Sequence, residues 1–174
     1  MWGRSLAFAL ALLALAGCGT KTASPAAPAV FHVTSPQVTN GVFPKSATCD
    51  GGDHRPSLMW TSAPTSTKGF VIELLDSDVP GGTFTHWLLY NIPAGTKAVG
   101  GSLPKGSVQG YNEFGKRAYN GPCPPAGPSH HYHFYVIALD TDVHINGAVD
   151  RYNLEAAMEN HIIGRAELAA TYKR

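Results

Sequence analysis

The chain has 174 residues, enough for one ordinary domain and scarcely for two. Hydrophobic residues make up 44% and aromatic residues 10%, so it can build a core and is not a disordered chain. Charged residues reach only 14% and the formal net charge is +1, which excludes a charge-rich helical bundle, a coiled coil and the basic footprint of a nucleic-acid binder. With 19 glycines and 13 prolines and no collagen-like period, the composition points to many turns and short strands.

The N-terminus reads as an address. Met1 to Arg4 carries one positive charge, and Leu6 to Ala16 is an unbroken apolar run. At about eleven residues it is too short for a bilayer core of about 30 Å, which takes roughly 20 residues, and it fits the apolar segment of a secretory signal. The run ends in Leu15-Ala16-Gly17-Cys18, which matches a bacterial lipoprotein signal. Small residues let a peptidase reach the backbone before Cys18, and the thiol accepts the lipid. An ordinary secretory signal with an incidental cysteine is the alternative. Gly19 to Ala29, with Pro25 and Pro28, is a tether in composition. The expectation is therefore a signal over 1–17, a tether over 18–30 and one domain over 31–174, lipid-anchored at Cys18 on the extracytoplasmic face of the cell membrane.

Within the domain, Phe31–Val33 and Leu58–Trp60 are short strand candidates. Gly69–Leu75 and Phe84–Tyr90 read as buried strands joined by a turn over Asp76–Gly82, and His133–Leu139 as a third. A helix is expected over Leu154–Ile163, with Asn153 as its N-cap and Gly164 just past its end. Ala166–Tyr172 either extends the helix or forms a last strand, and the break at Gly164 favours the strand. The fold class is all-β, an antiparallel sandwich with one or two peripheral helices.

Familiar catalytic patterns are mostly absent: there is no G-x-S-x-G, no phosphate loop of the G-x-x-x-x-G-K type and no H-E-x-x-H. Ser102-Leu103-Pro104-Lys105 has S-x-x-K spacing, but Pro104 argues against the helical turn that chemistry uses. Three segments stand out: Asp76-Ser77-Asp78-Val79-Pro80, then His86-Trp87, then Tyr119-Asn120-Gly121-Pro122-Cys123-Pro124-Pro125 followed by His130-His131-Tyr132-His133.

With these segments the chain resembles the phosphatidylethanolamine-binding protein family, in its bacterial and archaeal, Raf-kinase-inhibitor-like branch. Cys49-Asp50-Gly51-Gly52-Asp53 leading to Pro56-Ser57-Leu58-Met59-Trp60, Asn91-Ile92-Pro93, Tyr135 to Asp140 and His161 to Tyr172 also fit. The likeness runs from about Phe31 to Lys173. It implies a sandwich of two antiparallel sheets with a small anion-binding pocket drawing on Asp76, His86, Gly121, Pro122, His130 and Tyr132, with Asp78 nearby. One departure is Ser77, where the family commonly has Pro between the two acids. The family includes lipid-binding, kinase-regulating and protease-inhibiting proteins, so the fold does not settle the function.

The residues themselves agree on the kind of site. Two imidazoles, a phenol and a Gly/Pro loop supply directional donors without dense positive charge, which suits one phosphate or carboxylate held by histidines and backbone N–H groups. Asp76 is placed to fix an imidazole tautomer and favour its protonated form. The bland readings stand beside these: His86 as a core histidine, Asp78 as a turn residue. Alternation sends His131 and His133 to the face opposite Tyr132, while His130 shares that residue's face. No claim attaches to His32, His54, His144 or His161.

The leading expectation is an envelope binding or regulatory protein for a phosphate-bearing or other anionic ligand, such as a phospholipid headgroup, with no cofactor, metal or catalytic residue required. A small hydrolase or metal-dependent enzyme built on Asp76, His86, His130 and Tyr132 is the alternative, though Ser77 and Ser129, read as turn residues, give it no obvious nucleophile. Inhibition of a protease or kinase through a protein partner is a third reading. Finally, outside the cytoplasm thiols oxidise, and once Cys18 is lipidated an even pair is left, so Cys49 and Cys123 are expected to form a disulfide; two buried free thiols are the alternative.

Overall fold

Gly69 to Asp76 is buried along its whole length because this strand has cover on both faces. The computed structural model describes residues 30–174. Its strands are β1 (His32–Thr34), β2 (Leu58–Thr61), β3 (Gly69–Val79), β4 (Gly82–Pro93), β5 (Ala98–Val99), β6 (Val108–Gln109), β7 (His130–Leu139) and β8 (Ile162–Tyr172). Between β7 and β8 lies one helix, α1 (Arg151–Met158). The strands form a three-stranded sheet in the order β1-β2-β5 and a five-stranded sheet in the order β6-β4-β3-β7-β8, with every strand pair antiparallel. The fold is the expected antiparallel sandwich with one helix.

Alternation along β3 divides its side chains between two cores. Phe70, Ile72 and Leu74 enter the inter-sheet core with Trp60, Trp87 and Phe134. Val71 turns to the outer face, where Leu88, Ile137, Leu154 and Met158 pack beneath α1. β3 therefore sits central to the larger sheet and rigid. Anything carried at its C-terminal end is held firmly.

Several boundaries differ from the sequence expectation. The hairpin strands run on through Val79 and from Gly82, leaving only Pro80 and Gly81 as the turn. The helix begins three residues earlier, because Asp150 and not Asn153 caps it. Asn153 N–H donates to Asp150 Oδ1 at 3.0 Å, and Asn153 Oδ1 accepts from the Asp150 N–H at 3.0 Å, closing a capping box. The helix also ends at Met158, and Ile162–Gly164 pair with Leu139 and Ala138 as the start of β8. Gly164 is required for a different reason than a helix stop: a Cβ there would lie 2.9 Å from Pro64 Cγ.

Among the described residues no helix is long and apolar enough to cross a membrane. Cys18 and the apolar run before it lie outside the described residues.

Candidate functional site

Two β-bulges shape the C-terminal end of β3 and the facing part of β4. Leu74 pairs with Trp87 but Leu75 pairs with Thr85, so His86 is an extra residue on β4. Further on, Asp76 pairs with Phe84 and Val79 with Gly82, so Ser77 and Asp78 together face Thr83 alone. Bulges re-aim side chains. The first lets His86 and Trp87 both be buried. The second breaks alternation and carries Asp78 away from Asp76.

The result is a cavity of about 200 Å³ with Asp76, His86 and His130 at its polar end. Phe84, Phe114, Pro124 and Pro125 form its apolar walls. Asp76 and His86 are each 3% exposed. His130 Nδ1 lies 2.8 Å from Asp76 Oδ2, and Asp76 Oδ1 accepts from the Asp78 N–H at 2.9 Å. His86 Nδ1 lies 2.9 Å from Asn120 O and 3.1 Å from Gly121 O. Carbonyls and carboxylates only accept, so both histidines carry their proton on Nδ1. Each Nε2 then presents a lone pair, has no protein partner, and is not sealed from the cavity.

The other expected site residues lie behind this surface. Tyr132 is 0% exposed, edge-on to the His86 ring at 5.4 Å. Its hydroxyl has no hydrogen-bond partner, and burial together with the Asp76 carboxylate pushes its ionisation far up. Gly121 and Pro122 are scaffold. Gly121 N–H donates to Asp53 Oδ1 at 2.9 Å, and Pro122 O accepts from Cys49 N–H at 3.2 Å. A Cβ on Gly121 would fall 1.9 Å from Ala47 O, so only glycine lets the two loops meet. The Gly121 N–H is thus already committed and Pro122 has none, so neither of these two residues supplies a backbone donor to an anion. Asp78 binds the exposed His131, whose Nδ1 lies 2.6 Å from Asp78 Oδ2, and these hydrogen bonds hold the Asp78 carboxyl below its usual range.

Burial pushes the His86 pKa down, against the opposing pull of the Asn120 carbonyl and Asp76. Asp76 does favour the charged form of His86, as expected of an adjacent carboxylate, but desolvation outweighs it and the net shift is downward. Sequence reading also missed Phe84, Phe114 and Asn112. Phe84 was open to detection, since it precedes His86 by two in a strand. Asn112 is buried and fastens the loop: its Nδ2 lies 3.1 Å from His86 O and 2.9 Å from Asn120 Oδ1, while its Oδ1 accepts from Phe114 and Lys116 N–H. Nothing in its local pattern marks it.

Cys49 and Cys123 are joined by a disulfide, with Cα atoms 5.4 Å apart. Cys123 lines the cavity, so the bridge fastens one wall of it to the Cys49 loop. Among the described residues no group of three or more His, Cys, Asp or Glu is arranged to hold a metal ion. A second cavity of similar size, about 210 Å³ beside Tyr90, Gln109 and Arg117, contains no histidine or carboxylate.

Residues 34–173 match the family described as phosphatidylethanolamine-binding protein. The chain belongs to that family. A UPF0098 protein of Pyrococcus horikoshii is 42% identical over 152 residues, covering 83% of this chain and 77% of that protein. The crystal structure of Escherichia coli YbcL, described as a new member of the mammalian family, superposes with a TM-score of 0.79 at 33% identity, covering 84% of this chain and 99% of the other. A homologue from Chlamydia trachomatis gives a TM-score of 0.77, also at 33% identity, covering 83% and 98%. Membership agrees with a ligand-binding role for the protein.

Proposed function

We propose that the protein is a lipid-anchored binding protein of the cell envelope whose pocket takes a small phosphate-bearing ligand, of the kind a phospholipid headgroup presents. The observation that carries this reading is the pair His86 and His130, each with Nδ1 fixed inward and Nε2 turned to one small cavity. A volume of about 200 Å³ is below the range of sites for drug-sized ligands, roughly 300–1,000 Å³, and suits a single headgroup. Neutral imidazoles meet an anion's oxygen lone pair to lone pair. Binding therefore requires a proton on Nε2 or on the ligand, and it strengthens as pH falls. The family description, phosphatidylethanolamine-binding, supports the same ligand class.

Inorganic phosphate is expected to raise the melting temperature by several degrees at 100 times its dissociation constant, a linkage of about 2.7 kcal/mol. The shift should grow as pH falls, and because burial lowers the His86 pKa that residue contributes only below the ordinary histidine value of about 6.5. His86→Ala and His130→Ala should each remove it, and His131→Ala should retain it. Equal stabilisation of the His86→Ala/His130→Ala double variant would place the anion elsewhere. Running phosphoethanolamine beside phosphate separates a headgroup site from a bare anion site.

Anchoring rests on Leu15-Ala16-Gly17-Cys18. Wild-type protein should sediment with membranes and Cys18→Ala should not. Recovery of soluble wild type with an unmodified Cys18 thiol would overturn the anchor.

A further inference from the structure

On the opposite face of the larger sheet from the pocket, three side chains from three adjacent strands line up. Ser77 Oγ of β3 lies 3.2 Å from His133 Nε2 of β7. His133 Nδ1 lies 2.6 Å from Glu167 Oε1 of β8. We propose that Ser77, His133 and Glu167 form a second, chemically active site in which Ser77 is an activated nucleophile for carboxylic esters.

The hydrogen-bond chain fixes the chemistry. A carboxylate accepts but does not donate, so Glu167 holds the His133 proton on Nδ1. Nε2 is then a lone pair facing the Ser77 hydroxyl, which is the tautomer a general base needs. Nucleophile within hydrogen-bond reach of a base, and base oriented by a third group, is the arrangement that activates serine on unrelated folds. His133 has a second constraint, since its ring stacks on Tyr135 with centroids 5.9 Å apart and planes 8° from parallel. Arg165 in turn lies over Tyr135, 4.5 Å from the ring centre. The imidazole is held from two sides.

Sequence reading placed Ser77 in a turn with no oxyanion signal. The structure puts it in the β3 bulge, exposed and turned toward β7, with its hydroxyl also 3.4 Å from His131 O. Ser77 is exposed and His133 and Glu167 are partly so, their side chains being 22% and 46% accessible. This open face suits an ester presented from solvent or on a larger molecule. It does not suit one that must be enclosed.

The reaction balances with water alone. Ser77 Oγ bonds to the acyl carbon as its proton passes to His133 Nε2. The bond to the leaving alkoxide breaks, and that oxygen takes the proton. Water then attacks the acyl-serine, His133 again taking and returning a proton, and the carboxylic acid leaves.

The test is to treat the purified protein with a fluorophosphonate serine probe, mapped by peptide mass spectrometry, and to measure hydrolysis of p-nitrophenyl acetate. The adduct is expected on Ser77, and Ser77→Ala should lose both adduct and hydrolysis while keeping its melting temperature and its response to phosphate. His133→Gln should slow labelling by about 100-fold or more, the usual contribution of a general base. Glu167 is a positioning residue. Glu167→Gln should slow labelling, and Glu167→Asp should recover part of the rate, because a carboxylate again faces His133 Nδ1. A label spread over other serines, or a Ser77 rate unchanged by His133→Gln, would overturn the proposal. An unchanged rate in Glu167→Gln, or no recovery in Glu167→Asp, would remove Glu167 from it.

Discussion

Replacing both disulfide cysteines, Cys49→Ser with Cys123→Ser, is expected to cost the folded protein roughly 4 kcal/mol, because the bridge closes a loop of about 75 residues in the unfolded chain. For a domain of this size that is a fall in melting temperature on the order of 10 °C. The native junction is otherwise held by individually modest bonds. Tyr119 donates its hydroxyl to Ala47 O at 2.7 Å, Gly121 N–H donates to Asp53, and Cys49 N–H donates to Pro122 O. Each contributes about 1 kcal/mol. Because Cys123, Pro124 and Pro125 form one cavity wall, the double variant should also show a smaller phosphate-induced shift. Thermal unfolding of the oxidised protein and the double variant at one pH measures both effects. A loss below about 1 kcal/mol would mean that the bonded loops hold the junction without the bridge, contrary to the chain-entropy account.

The parts of this fold legible in the sequence are those set by period and punctuation. Gly69–Leu75, Phe84–Tyr90 and His133–Leu139 announce themselves by long apolar and β-branched runs, and all lie in the larger sheet. The two-residue strands Ala98–Val99 and Val108–Gln109 do not, because a pair of residues carries no period. The split of Tyr132 from His131 and His133 also followed from alternation, and β7 keeps that alternation without a bulge through those residues. β4 and the end of β3 do not keep it. An inserted residue is silent in composition, so neither the burial of His86 beside Trp87 nor the turn of Asp78 away from Asp76 was predictable from spacing. Gly164 misled for a related reason. A glycine demanded by a close approach to Pro64 looks, in sequence, like a glycine that stops a helix. The Gly121 N–H failed as an anion donor because its partner, Asp53, lies 68 residues away.

Glu73→Gln is expected to make the protein more stable than wild type above neutral pH. Glu73 sits on β3 beneath α1, 0% exposed, and neither of its carboxyl oxygens has a hydrogen-bond partner. Arg165 Nη2 approaches to 3.9 Å, beyond hydrogen-bond distance, and Arg151 of α1 is engaged by Glu155 at 3.0 Å. Burial, with the Glu155 carboxylate adding to it, pushes the Glu73 pKa up to about 7, against the opposing pull of Arg165 and Arg151. The folded state therefore binds this proton more tightly than the unfolded chain, whose carboxyl titrates near 4.5. Its contribution is fully present below that value and is lost as pH rises through about 7, a change of roughly 3 kcal/mol. His86, with its lowered pKa, acts in the opposite sense and loses stability as pH falls, so a single pH curve mixes the two. The difference between wild type and Glu73→Gln cancels His86 and isolates Glu73. At pH 8 the variant should melt roughly 5–10 °C above wild type, and by pH 4.5 the two should converge. Denaturant or thermal unfolding at several pH values measures the difference. Parallel curves from pH 5 to pH 8 would show that Glu73 is ionised throughout and that Arg165 closes to pair with it.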